Sequence, residues 1–373
     1  MRILVALSGG IDSSTVAHLL HEQGHELVGV RFTLWSDPLA PALAEILPSK
    51  CCNAQTAARS ASIAKKLGIP YSVVDLQDEF KANVVDPFLE GYARGLSPNP
   101  CIGCNRKIKF GKLIELMKEF GCEKLATGHY ARIATENVTS IKSKIKNQKS
   151  KTTRHLLLEA VDHQKDQSYY LYGLGQDQLK HVLFPLGSMM KREVYGLAKH
   201  YGVPFDEQYR ESQDLCFFPE KTPEEFLKRH LKNVMMPGEI VRRNGTVVGM
   251  HAGLPLYTIG QRRGLRIGGL KIPLEVVAKD ANENRLIVET KGSEKTQEVE
   301  LTELRWISWQ PEQHEEIPFE CRTRSLSARL KGTLNFTGSK GRFLFEQSTP
   351  PQAPGQSLVL YRGEEIVGGG VIR

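Results

Sequence analysis

Ile3-Leu4-Val5-Ala6-Leu7-Ser8-Gly9-Gly10-Ile11-Asp12-Ser13-Ser14 is the stretch that decides how the chain is read. Ile3 to Leu7 is aliphatic without interruption, as suits a strand buried on both faces. Thr15-Val16-Ala17-His18-Leu19-Leu20 follows with the apolar spacing of a helix. A strand, a glycine turn and a helix start make an anion site. Gly9 and Gly10 let backbone amides approach a phosphate, and the first helical turn directs its N–H groups at it. Ser8, Ser13 and Ser14 add hydroxyl donors. No Gly-Lys-Ser/Thr follows, so the Walker arrangement for a transferred γ-phosphoryl group is excluded. A plain glycine turn with a Ser/Asp cap would explain Asp12 and Ser13 alone. Its position at the end of the first strand favours the anion site.

Composition sets outer limits. The 373 residues suffice for two or three domains, and 40% are hydrophobic, ordinary for a chain with real cores. No run approaches a membrane span, and the N-terminus enters a strand directly, which predicts a cytoplasmic protein with no secretory signal and no membrane partner. Seven cysteines, an odd number at low density, read as cytosolic thiols rather than a disulfide framework. A net charge of +8 favours a polyanionic partner. Lys142, Lys144, Lys146, Lys149, Lys151 and Arg154 crowd a polar stretch without hydrophobic periodicity, which reads as a solvated loop.

Up to about Tyr209, strand-like and helix-like segments alternate. Leu27 to Phe32 reads as a second strand, residues 54 to 67 as an Ala-rich helix closed by Gly68, and Tyr71 to Asp75 as a third strand. A helix across 110 to 120 precedes a fourth strand, Lys124 to His129. This order predicts an α/β domain with a doubly wound parallel sheet over residues 1–209. Ligands on such sheets sit at the carboxyl ends of strands, so Ser8, Phe32 and Gly128-His129 should share one crevice. A small, mostly-β central domain is expected over 210–298 and a C-terminal β-barrel over 299–373, from short strands broken by Gly, Asn and Pro.

The cysteines locate the second half of the chemistry. Ser97-Pro98-Asn99-Pro100-Cys101-Ile102-Gly103-Cys104-Asn105 is a proline-punctuated loop leading into basic Arg106-Lys107-Ile108-Lys109. A thiol at a helix start beside cations should have a depressed pKa, and Cys104 fits that description. The C-x-x-C pair also reads as half a metal site or a redox dithiol, but no second C-x-x-C exists. Cys216, followed by Phe217 and Phe218, reads locally as a core cysteine. Cys51-Cys52, Cys122 and Cys321 read as structural.

Six motifs taken together carry a resemblance. They are S-G-G-I-D-S-S from Ser8, P-N-P-C-I-G-C-N-R-K-I-K-F from Pro98, A-T-G-H-Y-A-R from Ala126, K-D-Q-S-Y-Y-L from Lys165, E-S-Q-D-L-C-F from Glu211 and Y-T-I-G-Q-R-R-G-L from Tyr257. In this order, and on to Gly368-Gly369-Gly370, the chain resembles the tRNA-specific 2-thiouridylases (MnmA/TrmU family) along essentially its whole length. The loop at Ser8 resembles the pyrophosphatase-type loop of enzymes that cut ATP between its α and β phosphates, within the adenine nucleotide alpha-hydrolase-like fold.

The resemblance implies ATP at Ala6, Leu7, Ser8, Gly9, Gly10, Ile11, Asp12 and Ser13, with Phe32 (often Met in relatives) and Gly128 lining the pocket. It implies a flipped target base at Asn99, Pro100 and Cys101, and tRNA contacts at His129, Lys165, Asp166, Gln167, Arg324, Ser325 and Gln356. Cys104 matches the nucleophile and Cys216 the persulfide carrier. The implied reaction adenylates the oxygen on carbon 2 of the wobble uridine (position 34), releasing pyrophosphate. The terminal sulfur of a Cys216 persulfide then attacks carbon 2. Cys104 frees that sulfur by attacking the Cys216 persulfide, leaving a transient Cys104–Cys216 disulfide to be reduced. Mg²⁺ is expected with ATP, with Asp12 as its carboxylate. A sulfur donor such as a cysteine desulfurase or relay protein is the other implied partner.

One departure stands out. Some relatives carry aspartate at the position of Cys101. Cys101 is then a spare thiol, or joins Cys104 and Cys216 in holding an iron–sulfur cluster. Enzymes sharing the loop but passing the activated carbon to nitrogen are the other alternative; they have no need of the two cysteines.

Overall fold

A computed structural model describes residues 1–41, 54–141, 149–204, 215–268, 272–312 and 316–373; the side chains of 138–141 and 149–152 lie outside that description. Strand β1 (Arg2–Ala6) leads into helix α1 (Ile11–Glu22), β2 (Glu26–Thr33), α2 (Ala54–Leu67) and β3 (Tyr71–Asp75). Helices α3 (Gln77–Phe80), α4 (Asp86–Ala93), α5 (Pro100–Gly103) and α6 (Phe110–Glu119) then precede β4 (Lys124–Ala126). After a hairpin, β5 (Arg132–Ile141) and β6 (Lys149–Leu158), come α7 (Gln176–Leu179), β7 (Val182–Leu183) and α8 (Lys191–His200).

Five of these strands form one sheet in the order β3-β2-β1-β4-β7, every pair parallel. Alternation along β1 feeds two cores. Ile3, Val5 and Leu7 pack with Val16, Ala17, Leu20 and Ile63 on one face, and Leu4 packs with Phe110, Leu113 and Met117 on the other. Helices therefore cover both faces, as expected of a doubly wound domain. The strand order reverses at β1, so the loops after β1 and β4 open the crevice where such sheets bind ligands. β4 stops at Ala126 rather than running to His129. Thr127 N–H still donates to the Leu183 carbonyl of β7 at 3.3 Å, and Gly128 then comes against Asp12 and Ser13 of α1.

Helix α9 (Glu224–His230) is followed by a four-stranded sheet of β8 (Gly238–Val241), β9 (Val247–His251), β10 (Leu274–Asp280) and β11 (Arg285–Thr290). The rest is β12 (Thr296–Trp306), β13 (Ile317–Arg322), β14 (Leu330–Thr337), β15 (Lys340–Thr349), β16 (Ser357–Arg362) and β17 (Glu365–Ile372). β12 pairs with both β15 and β17, which closes these strands into a barrel around Leu301, Cys321, Leu334, Phe343 and Leu360. No helix among the described residues is long and apolar enough to cross a membrane.

The basic stretch read as a solvated loop is corrected in part. Residues 149–154 lie on β6, where Arg154 pairs with Glu136 across the hairpin at 3.8 Å. The hairpin root joins the barrel sheet through Leu157 and Leu158 opposite Ile366 and Glu365. Lys142, Lys144 and Lys146 lie outside the described residues, as do Cys51 and Cys52.

Candidate active site

The phosphate loop is braced from behind. Arg31, 5% exposed, donates to the Ser8 carbonyl at 2.7 Å and to Thr56 Oγ1 at 3.1 Å. Arg59 donates to the Gly9 carbonyl at 3.1 Å. In a trans peptide the N–H opposes the carbonyl, so these guanidiniums turn the Gly9 and Gly10 amides the other way. Gly9 sits at φ +79, and a Cβ there would lie 2.1 Å from the Thr56 carbonyl oxygen. Only glycine fits. Gly10 is the extended N-cap of α1 and brings no side chain to that turn. Ser8 Oγ and Ser13 Oγ lie 3.0 Å apart. Ser14 departs from its expected role as a ligand donor: fully buried, it donates to the Gly10 carbonyl at 2.7 Å and stiffens the loop.

Gly128 closes the other side of the crevice, since a Cβ there would meet Ser13 N at 2.9 Å. Asp12 Oδ1 accepts from Tyr130 OH at 2.9 Å and from Lys191 Nζ at 2.6 Å. Sequence reading missed Lys191, whose buried ammonium at the start of α8 neutralises Asp12 and lies over the Tyr195 ring at 4.9 Å.

The cysteine loop is gripped by all three regions of the chain. Ser97 N–H donates to the Pro354 carbonyl at 2.8 Å, its hydroxyl meets Thr258 Oγ1 at 3.1 Å, and its carbonyl accepts from Gln356 Nε2 at 2.6 Å. Asn99 caps α5 by accepting from Cys101 N–H at 3.3 Å, and pairs with the Tyr169 hydroxyl. That hydroxyl reaches the Ser357 carbonyl at 2.8 Å, and the neighbouring Tyr170 pairs with Ser325. Asn99 and Ser325 thus meet around the tyrosines of the K-D-Q-S-Y-Y-L motif, residues whose role the sequence does not announce, while Gln356 acts through Ser97.

The expected depressed pKa of Cys104 is overturned. The helix starts at Pro100, not after Cys104, so Cys104 begins a π-helical turn (Cys104–Lys109) one turn inside. It is 5% exposed, and burial pushes its thiol up, with Lys109 pulling the other way. Burial likewise pushes Cys101 up to about 11, again opposed by Lys109. His129 is pushed down to about 3 by burial and then by Lys109, and its ring is neutral at ordinary pH. Lys109 is the cation common to all three.

Cys104 and Cys216 share one apolar cluster. Cys104 lies within it among Phe80, Phe88, Ile108 and Phe217, while half-buried Cys216 and Phe32 pack against it. The cluster therefore links the end of β2, the π-turn and the segment after residue 214. Glu211 to Asp214 of the E-S-Q-D-L-C-F motif lie outside the described residues. Among the described residues no three His, Cys, Asp or Glu side chains come together to hold a metal ion.

The remaining expected contacts divide. Lys165 is partly exposed, and Gln167 is turned inward, accepting from Tyr130 N–H at 3.0 Å. Asp166, 3% exposed, accepts from Ala160 N–H at 2.9 Å and Ser168 Oγ at 2.8 Å, which leaves it inside the fold rather than on a binding face. Arg324 lies 3.4 Å from the Ile259 carbonyl.

Known proteins resemble this chain throughout. Family profiles described as a tRNA methyl transferase HUP domain, a tRNA methyl transferase PRC-barrel domain and an aminomethyltransferase beta-barrel domain match residues 1–220, 224–290 and 296–372. The tRNA-specific 2-thiouridylase MnmA of Roseiflexus sp. (strain RS-1) is 39% identical, over 100% of this chain and 99% of that protein. Its namesake in Geobacter metallireducens is 37% identical, over 100% of this chain and 96% of that protein. The Chloroflexus aurantiacus protein of the same name is 40% identical over 99% of this chain and 98% of its own length, and the chain belongs to this family of tRNA-specific 2-thiouridylases.

Proposed function

We propose that this enzyme replaces the oxygen on carbon 2 of the wobble uridine of tRNA with sulfur, consuming ATP and giving 2-thiouridine, AMP and pyrophosphate. The observation that carries the reading is the shared cluster of Cys104, Cys216 and Phe32 beside a glycine loop braced for phosphate. Two thiols on one apolar floor, next to an adenylating crevice, suit sulfur transfer and serve no purpose in amidation.

A uracil oxygen leaves poorly. Its attack on the α-phosphorus of ATP forms an O–P bond and expels pyrophosphate, which the amides of residues 6 to 13 would hold. Carbon 2 then carries a good leaving group, AMP. The outer sulfur of a Cys216 persulfide attacks carbon 2, and the C–O bond to AMP breaks as AMP departs. Cys104 attacks the inner Cys216 sulfur, the S–S bond to the transferred atom breaks, and a Cys104–Cys216 disulfide remains for an external thiol to reduce. Burial pushes the Cys104 thiol up, so Lys109 is the group that would favour its thiolate.

The base must leave the anticodon stack to reach this floor. Asn99, Pro100 and Cys101 would line its pocket, and His129, Lys165, Arg324 and Ser325 would touch sugar or phosphate. Asp12 would be the carboxylate for a Mg²⁺ ion arriving with ATP, in competition with Lys191, which already holds its Oδ1 at 2.6 Å. When bound there, the ion would neutralise charge developing on the departing pyrophosphate. The working units are taken as 1–209, 210–298 and 299–373, in the cytoplasm, with a desulfurase or relay protein as sulfur donor.

Mass spectrometry of nucleosides from tRNA incubated with enzyme, ATP and a persulfide donor tests the proposal. 2-Thiouridine should appear with the native enzyme and vanish in both Cys104→Ser and Cys216→Ser. Full activity in Cys104→Ser would favour an amidating enzyme instead.

A further inference from the structure

Asp37 lies in the loop after β2, far in sequence from either cysteine, with its side chain 0% exposed. Its Oδ2 accepts from Arg229 Nε at 2.9 Å and Nη2 at 2.5 Å. Its Oδ1 accepts from Leu39 N–H at 3.0 Å and faces His230 Nε2 at 2.8 Å. Arg229 also grips Glu220 at 2.6 Å. The Asp37 N–H donates to the Phe217 carbonyl at 3.1 Å, one residue past Cys216. One residue thus joins the loop after β2, the Cys216 segment and helix α9.

Aromatic rings lock the same junction. Phe217 meets Phe88 at 5.3 Å, Phe226 at 5.4 Å, Phe80 at 5.9 Å and Trp35 at 6.5 Å. Trp35 meets His230 at 6.1 Å. Packing of this density would hold the helices together without any ion pair. A buried carboxylate–guanidinium pair is a weak source of net stability, since apolar residues of equal volume often do as well. What it adds is direction: a planar two-point contact fixes angle as well as distance.

We propose that Asp37 is a positioning residue for Cys216. Through Arg229 and the Phe217 carbonyl it makes the chain just after the thiol a fixed pivot. The same loop follows β2, the strand that carries Phe32, so nucleotide pocket and sulfur carrier share one frame. The inference rests on Cys216 being the carrier.

Single-turnover measurements on the full-length enzyme with tRNA, ATP and a persulfide donor separate the steps. In Asp37→Asn, tRNA-dependent pyrophosphate release should stay within about two-fold of native. Formation of 2-thiouridine and of the Cys104–Cys216 disulfide should slow by about ten-fold or more, as small misplacements of a reacting atom do. If Asp37→Asn does not fold, judged by circular dichroism, Arg229→Lys keeps the charge, loses the fork and should show the same split. Equal slowing of both steps, or of neither, overturns the proposal. Cys216→Ser in parallel isolates the underlying reading: thiolation that survives it removes the carrier role itself, whatever Asp37→Asn does.

Discussion

The side-chain amide of Gln356 donates to the Ser97 carbonyl at 2.6 Å, joining residues 259 apart in sequence. The barrel thereby grips the chain two residues before Asn99, the cap of the helix that carries Cys101. Gln356 resembled an RNA contact in sequence; in the fold its amide braces the loop.

Gln356→Ala should loosen that loop selectively. One hydrogen bond contributes about 1 kcal/mol net, so amide exchange across residues 97 to 104 should quicken by about five-fold. Exchange in β1 and β2 should not change. Uniform exchange rates in the variant would show that the bond does not hold the loop.

Gly9→Ala and Gly10→Ala should differ sharply. The first drives a Cβ to 2.1 Å from a backbone oxygen at φ +79, whereas the second meets only Ser8 Oγ at 3.5 Å. Calorimetric titration with ATP should show binding lost, by about 100-fold or more, in Gly9→Ala and weakened by less than about ten-fold in Gly10→Ala. Similar affinities in the two would rule out the braced-loop account.

Lys109→Met should make Cys104 less reactive. The ammonium favours the thiolate, so its removal raises a thiol pKa that burial has already raised. Alkylation of Cys104 by iodoacetamide at pH 8, followed by peptide mass spectrometry, should slow by about three-fold or more. Faster alkylation would mean that Lys109 acts through packing instead.

Alkali should destabilise the fold partly through Cys101, whose thiol is raised from 9.0 to about 11. Between those values the unfolded chain has released the proton that the folded chain retains, so stability falls as pH rises. The contribution is whole below about pH 9 and lost by about pH 11, roughly 2–3 kcal/mol in all. Urea midpoints from pH 8 to 11 should decline less steeply in Cys101→Ser than in the native enzyme. Parallel curves would exclude Cys101 as a source.

Local signals in the sequence were faithful where local physics decides. Helix α2 ends where Gly68 can take φ +64, and β3 spans the same five residues that its β-branched run indicated. The hairpin was illegible because the sequence around residues 142–148 is polar, while its root, at buried Leu157, meets the barrel through partners far along the chain. Cys104 was misread for a different reason. Its charge environment depends on where a proline starts a helix and on a core assembled from Phe88 and Phe217, which no nearby residue announces. Nor could spacing reveal Tyr169 against Ser357, or Asp37 against Arg229, contacts 188 and 192 positions apart.

The pairing of Leu157 with Ile366 also constrains vectorial synthesis. A ribosome releases β6 long before β17, so the nascent chain carries an unsatisfied strand edge until its closing segment emerges. Ile307, Val359, Tyr361 and Ile366 also pack in one core with Leu125, Leu157 and Tyr169, so that layer of the nucleotide-binding half is completed only once the last strands have left the ribosome.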